Sequence, residues 1–397
     1  MLVIALYIDG NPNIRHSTMK YIYSLIIFSG FSTLALAQTT SPNIISTAVP
    51  FLTISPDARS GAMGDAGVAL SPDVNSQYWN ASKLAFLEKE TNFALSYSPW
   101  LRNLVSDVSL ANLNFSQKLD DRNTIGASLR YFNLGSLSLY DDNQNSLGTS
   151  KPNEFAFDVS LARKFSPNLS LGLALRYIHS NLSQGMATSS QQFAAVNAVA
   201  ADISIFSTHD VREFGNDAVF AYGVNISNIG PKVGYVTNGQ KYFLPTNLKI
   251  GAANTWIFND DTKLTLALDL NKLLVPTPPL RDANGNITSG KDDNRSVVSG
   301  IFGSFSDAPG GTSEELQEIT YSTGAELWFH NQFAIRGGYF YENPNKGNRQ
   351  FYTLGAGFRY NNIALDFSYL FSQTQYNALA NTLRFSLGYN LDSRGKK

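Results

Sequence analysis

The sequence has no cysteine among its 397 residues and only four histidines. Disulfide bonds, thiol catalysis and cysteine-containing metal sites are therefore excluded. Charged residues make up only 15% of the chain, and its 30 Lys and Arg nearly balance 31 Asp and Glu. That balance gives no electrostatic basis for binding nucleic acid. Apart from one N-terminal run, no stretch is apolar and long enough to form a membrane helix.

Strict alternation of apolar and small or polar residues is the dominant pattern, and residues 351–371 show it most clearly. One face of the first run is bulky, with Tyr352, Leu354, Ala356, Phe358 and Tyr360. The other face carries Thr353, Gly355, Gly357 and Arg359. Alternation over about ten residues predicts a strand that crosses a bilayer at a tilt. Small residues with single charges suit the lumen of a closed barrel better than a water-exposed sheet face.

The same period marks fourteen segments along the chain. They are residues 92–99, 107–118, 123–134, 154–165, 168–181, 195–207, 218–229, 246–257, 262–274, 319–329, 332–343, 350–360, 362–373 and 382–391. An even number is typical of closed bacterial barrels. The predicted fold class is an all-β membrane protein, a fourteen-stranded antiparallel transmembrane β-barrel over residues 91–391. Such a barrel is too wide for its own side chains to fill, so its lumen needs water or a plug.

The lengths of the links between predicted strands alternate. Even-numbered links are tight, as at Asn361, except the sixth, around residues 208–217. Most odd-numbered links are longer, and the longest covers residues 275–318. Outer-membrane barrels have short periplasmic turns and long external loops. The pattern therefore predicts an outer-membrane protein with both termini periplasmic and the long loops extracellular.

The start of the chain has the features of a secretory signal. Lys20 precedes the apolar run 21–34, and Ala35, Leu36 and Ala37 form a small-x-small cleavage site. A signal peptide is predicted over residues 1–37, with residues 1–18 as an over-extended start. A membrane-helix anchor is the alternative, but the run is short. Residues 38–90 then form a periplasmic or plug segment, and residues 392–397 a short periplasmic tail.

Alternation is absent from residues 50–87, where Gly61, Gly64 and Gly67 recur every third position. Glycines allow close approach of backbones, and Asn80 is a candidate cap for a short helix. We expect a plug in the barrel lumen. The alternative is an ordinary periplasmic leader.

This segment also carries a family resemblance. The runs SGAMGDAGVA at 60–69, SPD at 71–73 and YWNASKLAF at 78–86 resemble the N-terminal region of the PorV (LptO) family of type IX secretion subunits. They are more distantly similar to the FadL superfamily. The resemblance implies a non-enzymatic shuttle that binds secreted cargo by its C-terminal signal domain. It further implies delivery of that cargo from the translocon to a surface sortase, with outer-membrane lipid around the barrel.

Two sets of residues are candidates for functional sites. The plug and lumen candidates are Asp57, Arg59, Gly61, Gly64, Asp65, Gly67, Asp73, Asn80, Arg130, Arg176, Asp269, Glu326, Arg336, Arg359, Asp366 and Arg384. Their mixed signs favour salt bridges between plug and wall over a charge ladder that conducts substrate. The external-loop candidates for cargo binding are Leu137, Leu139, Tyr140, Tyr242, Phe243, Leu244, Phe302 and Phe305. Interfacial girdle positions are predicted at Tyr97, Trp100, Trp256, Phe258, Trp328, Phe329, Tyr341 and Tyr360.

Signals for catalysis are weak. After the signal peptide only His179, His209 and His330 remain, and neither a G-x-S-x-G nor an H-E-x-x-H motif is present. No catalytic, metal or cofactor site is predicted. Two alternatives stay open. FadL-like uptake of hydrophobic molecules requires an apolar path beside residues 50–87 and an opening in the wall. An esterase acting on lipid A requires a Ser-His pair within hydrogen-bond reach.

Overall fold

The computed structural model describes residues 42–100, 107–140, 143–182, 193–372 and 381–391. The predicted signal peptide and the predicted tail at 392–397 lie outside these ranges. None of the helices in the described ranges combines the length and the apolar composition that crossing a membrane requires.

Fourteen strands close into one antiparallel barrel, as the alternation predicts. In chain order they are β1 (Thr91–Pro99), β2 (Val108–Lys118), β3 (Asn123–Leu134), β4 (Asn153–Ser166), β5 (Leu169–Asn181), β6 (Val196–Glu213), β7 (Asn216–Ile229), β8 (Asn247–Ile257), β9 (Thr262–Leu273), β10 (Thr320–Phe329), β11 (Phe333–Tyr341), β12 (Gln350–Tyr360), β13 (Ile363–Ser372) and β14 (Leu383–Leu391). Each strand pairs with its neighbours in sequence, and β1 pairs with β14. The barrel therefore has no open sheet edge.

The register places bulky apolar side chains outside and small or charged side chains inside. Leu173 of β5 lies between Leu161 of β4 and Ile203 of β6, and all three are exposed on the outer face. The next inward residue, Ala174, is buried. Because lipid replaces water around such a wall, exposed leucine and isoleucine are favourable there.

The sixth link differs from its prediction. β6 continues to Glu213 and β7 begins at Asn216, so only Phe214 and Gly215 join them, both with positive φ. Residues 209–213 are mostly polar or charged and lack the alternation of a lipid-facing strand. The pairing of β6 with β7 nevertheless continues through pairs such as Arg212 with Asp217. Every even-numbered link is therefore tight. We call this end of the barrel the short-turn end and the opposite end the long-loop end.

The long loops contain structure that alternation did not predict. Leu137–Tyr140 pairs with Ser146–Ser150 in one ribbon, and Leu280–Arg281 pairs with Ile287–Ser289 in another. The same loop as the second ribbon carries two helices, which are numbered below after those of the plug.

The plug enters the lumen from the long-loop end. The Asn43 side chain donates to the Pro278 carbonyl at 3.1 Å, and the Ala48 amide donates to the Phe243 carbonyl at 2.9 Å. Phe51 then stacks on Phe132 of β3. The prediction placed this part of the chain at the short-turn end and is wrong. The physical reason is that the apolar residues around Phe51 bury themselves among inward side chains at the long-loop end.

From there the chain descends through two short helices, α1 (Ala58–Gly61) and α2 (Ser76–Trp79), and a 3-10 segment, Ala81–Phe86. Strand β1 begins after them at the short-turn end. The helices of the 275–318 loop are α3 (Val297–Gly303) and α4 (Thr312–Gln317).

Candidate functional site

Glycine allows the plug to lie directly on the wall. Gly64 has a φ of +68°, and a Cβ there would lie 2.6 Å from the backbone nitrogen of Tyr339. The facing wall residue is Gly338, where a Cβ would collide with the Gly64 backbone. Thr353 fixes this contact, because its hydroxyl accepts from the Gly64 amide and donates to the Ala62 carbonyl, both at 2.9 Å. Plug and wall therefore meet backbone to backbone at this point.

Two further plug glycines also lie in close contacts. Gly61 packs against the Arg384 side chain, whose guanidinium pairs with Asp65 at 3.2 Å. Gly67 lies under the ring of Trp79. That ring donates from Nε1 to Asp57 at 2.6 Å, and Asp57 in turn accepts from an amide at the start of α1. Asp57 therefore holds the plug together, whereas Asp65 holds it to the wall.

A chain of six buried or half-buried charges joins the plug to strands β10 to β13. Arg59 of the plug donates to Asp73 at 2.9 Å and to both oxygens of Glu326, at 2.8 and 3.0 Å. On its other side, Glu326 accepts from Arg336 at 2.6 Å. Arg336 also pairs with Asp366 at 2.7 Å.

Arg359 completes this chain, because its guanidinium donates to both oxygens of Asp366 at 2.8 and 3.0 Å. Three arginines thus alternate with three carboxylates and the set is neutral. A buried set of this kind fixes geometry, since removing one member leaves its partners charged and desolvated.

Backbone groups of the plug are also bound by the wall. Asp269 accepts from the amides of Gly67 and Val68 at 2.7 and 2.9 Å. Asn80 caps the 3-10 segment at the Ser82 amide and donates to the Ile205 carbonyl at 2.9 Å. The bonds to the Asp269 carboxylate are charge-assisted and therefore stronger than the neutral bonds of Asn80.

The two remaining lumen candidates have different partners. Arg176 pairs with Asp158 and Asp202 and donates to Asn228, so it joins four neighbouring wall strands. Arg130 donates to the Leu52 carbonyl at 3.1 Å and lies 4.5 Å from the ring centroid of Tyr78. Arg130 therefore ties the plug to the wall.

Below the plug is a cavity of about 580 Å³ among the short-turn ends of the strands. Plug residues such as Asp73 form one side, and its apolar lining includes Phe86, Phe206, Val219 and Trp328. At the long-loop end, Phe51 and its neighbours pack against the wall in a buried cluster. The plug thus separates this cavity from the long-loop end.

Comparison with protein families agrees with this architecture. Residues 37–280 match the family described as type IX secretion system protein PorV. The chain belongs to the PorV family. It is accordingly an outer-membrane β-barrel of type IX secretion. No curated protein matches the sequence.

Solved structures that resemble this PorV-family barrel include two toluene transporters and a FadL homologue. The Pseudomonas putida toluene transporter TodX has 13% identity and a TM-score of 0.48, over 88% of this chain and 98% of its own. The Ralstonia pickettii toluene transporter TbuX has 11% identity and a TM-score of 0.46, over 84% and 97%. A Pseudomonas aeruginosa FadL homologue has 13% identity and a TM-score of 0.40, over 88% and 100%.

The external-loop candidates divide into exposed and buried residues. Leu137, Tyr140, Tyr242, Phe302 and Phe305 are exposed, and Leu139 is half-buried. Phe243 and Leu244 are only 8% and 1% exposed, so their assignment to a docking surface in this PorV-family chain is wrong. Leu244 packs with the plug cluster, and Phe243 lies against Gly300 and Lys232.

Two girdle predictions are also wrong. Trp100 is buried in the cluster around Phe51. Trp328 lines the cavity, with the guanidinium groups of Arg336 and Arg359 5.5 and 5.3 Å from its ring centroid. It has the same parity as Glu326, which already points inward. Counting every second residue along β10 from Glu326 would therefore have placed Trp328 in the lumen. The same count from Arg336 on β11 would have placed Gly338 there.

One Ser-His pair meets the distance required of an esterase. Ser207 Oγ and His209 Nε2 are 2.9 Å apart on β6, at the short-turn end. However, the Ser207 hydroxyl donates to the Asn168 carbonyl at 2.9 Å and the residue is 2% exposed. This burial leaves a lipid ester without access to Oγ.

Proposed function

We propose that this protein is a non-enzymatic shuttle and attachment subunit of type IX secretion. It binds secreted cargo by the C-terminal signal domain and delivers it to the surface sortase. Membership of the PorV family is the observation that carries the proposal. In this scheme the long-loop end is extracellular and the short-turn end periplasmic.

The filled lumen supports a role at the long-loop surface. Residues 50–87 occupy the interior and are tied to the wall at Gly64, Arg59 and Asp269. The protein therefore serves as a platform for cargo rather than as a conduit. Its sortase and translocon partners bind outside the barrel as well.

Cargo contacts are proposed on the ribbon Leu137–Tyr140 and at Tyr242. Leu137, Tyr140 and Tyr242 are exposed apolar or aromatic side chains on loops, where solvent alone does not favour them. Aromatic anchors of this type dominate many protein interfaces. The ribbon is held by pairing with Ser146–Ser150, so its side chains are presented without a large ordering cost.

A strain that lacks the protein is expected to accumulate unprocessed cargo inside the cell. Complementation with the double variant Leu137→Asp and Tyr140→Asp should restore barrel assembly but not surface display, because charges desolvate poorly at an interface. Immunoblotting of surface and periplasmic fractions measures both.

A matched control is Leu280→Asp, which changes an exposed leucine on the other loop ribbon. We expect full surface display for this variant. Normal display in the deletion strain would contradict the proposed function. Normal display with the Leu137 and Tyr140 variant would contradict only the assignment of the ribbon.

Uptake of hydrophobic small molecules is a second candidate, favoured by the apolar part of the cavity near Phe86 and Phe206. It requires a path around the plug and an opening in the wall. The fourteen strands are paired all round the barrel over the part of the chain that the structure describes. Accumulation of a labelled fatty acid should therefore be equal in cells with and without the protein.

A further inference from the structure

Helix α3 in the 275–318 loop has its apolar face turned outward. Val298 and Phe302 of α3, and Phe305 two residues after its end, follow i, i+4, i+7 spacing and are 65%, 76% and 50% exposed. Gly300 on the opposite face and the C-cap residue Ser304 are buried. A helix on a water-exposed surface normally shows the reverse arrangement.

Helix α4 and the residue after it show the same inversion. Leu316 is 59% exposed, whereas the neighbouring Glu315 and Glu318 are buried. Both carboxylates bind the ammonium group of Lys272, at 2.9 and 2.6 Å. Within residues 297–318 the charged side chains are thus buried or half-buried, while Val298, Phe302, Phe305 and Leu316 are exposed, as expected for an element whose outer partner is apolar. The exposed charges of the loop, such as Arg281 and Asp292, precede this segment.

The position of Lys272 shows where this loop lies. On β9, Lys272 has the parity of Leu266 and Leu268, which point outward into lipid. It is nevertheless buried, because Glu315 and Glu318 cover it. The covering groups therefore lie over the outer side of the barrel rim. The Phe305 ring is also there, with its centroid 5.9 Å from the Lys272 ammonium.

A buried ionic base holds the loop in this position. Lys346 pairs with Glu314 at 2.6 Å and with Glu318 at 3.0 Å, and Asn43 donates to Glu314 at 2.9 Å. Burial acts to raise the pKa of Glu314, but hydrogen bonds from Lys346, the Gly310 amide and Asn43 outweigh it and lower the pKa below its usual value. The exposed aromatic side chains are thus presented on a fixed support.

We propose that residues 297–318 overhang the barrel rim and insert Val298, Phe302, Phe305 and Leu316 into the adjoining membrane leaflet. Lipid is the occupant because the segment covers Lys272, a residue at a lipid-facing position of β9, through Glu315, Glu318 and the ring of Phe305. The loop thereby fixes the tilt and height of the barrel in the membrane. This role is independent of cargo binding.

Because the chain has no cysteine, each single-cysteine variant carries one thiol for an environment-sensitive fluorophore. The labelled variant Phe302→Cys is reconstituted in phospholipid nanodiscs. We expect quenching by lipids that carry a spin label near the headgroup, and little quenching by aqueous iodide. Leu268→Cys on the outer wall is the lipid-exposed control, and Asn284→Cys in the exposed turn of the same loop is the aqueous control.

Iodide quenching of Phe302→Cys equal to that of Asn284→Cys, without quenching by lipid, would overturn the proposal. Shielding that develops only after a secreted cargo protein is added would also overturn it. Gel migration of unheated samples shows whether each barrel is folded. If Phe302→Cys does not fold, Val298→Cys on the same face must give the lipid-quenched result.

Discussion

Replacing Gly338 by valine is expected to displace the plug and open the barrel to ions. At this position a Cβ would lie closer to the backbone of Met63 and Gly64 than atoms can approach. Backbone atoms cannot rotate away as a flexible side chain does, so the plug must move. In planar bilayers the wild-type protein should be closed, and Gly338→Val should conduct.

The adjacent glycine provides a matched control. Gly337 points to the outer face, where the nearest atom to a Cβ would be Leu354 Cδ2 at 3.6 Å. Gly337→Val adds the same atoms to the same strand, but should leave the barrel closed. Equal conductance of the two variants would show that strand disruption, rather than loss of the plug contact, opens the pore.

Replacing Glu326 by alanine is expected to lower the free energy of unfolding by about 3 kcal/mol, the lower end of the ~3–5 kcal/mol typical of broken buried pairs. Two buried guanidinium groups, those of Arg59 and Arg336, lose a shared carboxylate. Each keeps one other acid, Asp73 or Asp366, which limits the loss. Denaturant unfolding in lipid vesicles measures the difference.

The control is the exposed pair between Arg281 and Asp293, whose atoms lie 2.8 Å apart. Exposed pairs contribute about 0–1 kcal/mol, so Arg281→Ala should leave the unfolding midpoint nearly unchanged. A loss for Glu326→Ala no larger than that for Arg281→Ala would mean that the buried charges do not hold the plug.

Alternation predicted most of the barrel because lipid outside and a filled lumen inside impose one rule on every strand. Bulky apolar residues such as Leu173 therefore alternate with small residues such as Ala174, and this alternation is visible in the sequence. The alternation did not predict residues 209–213 as part of β6, because polar and charged side chains continue this strand outside the apolar band. Local polarity there does not reveal pairing with β7.

The features that the sequence did not predict are determined by packing between residues far apart in the chain. Phe243 and Tyr242 are adjacent and equally plausible as exposed anchors, yet only Phe243 packs against Gly300 of the 275–318 loop. The course of residues 42–52 likewise depends on contacts with distant residues such as Phe132 and Pro278. The glycines of the plug were predicted, but their partner Gly338 was not.

We infer that residues 50–87 close the lumen, so that the cavity below the plug is accessible only from the short-turn end. The variant Val219→Cys places a single thiol in the cavity below the plug. A membrane-impermeant thiol reagent should not label it in intact cells, but should label it after the outer membrane is permeabilised, while Asn284→Cys is labelled in both. Labelling of Val219→Cys in intact cells at the rate of Asn284→Cys would contradict the account.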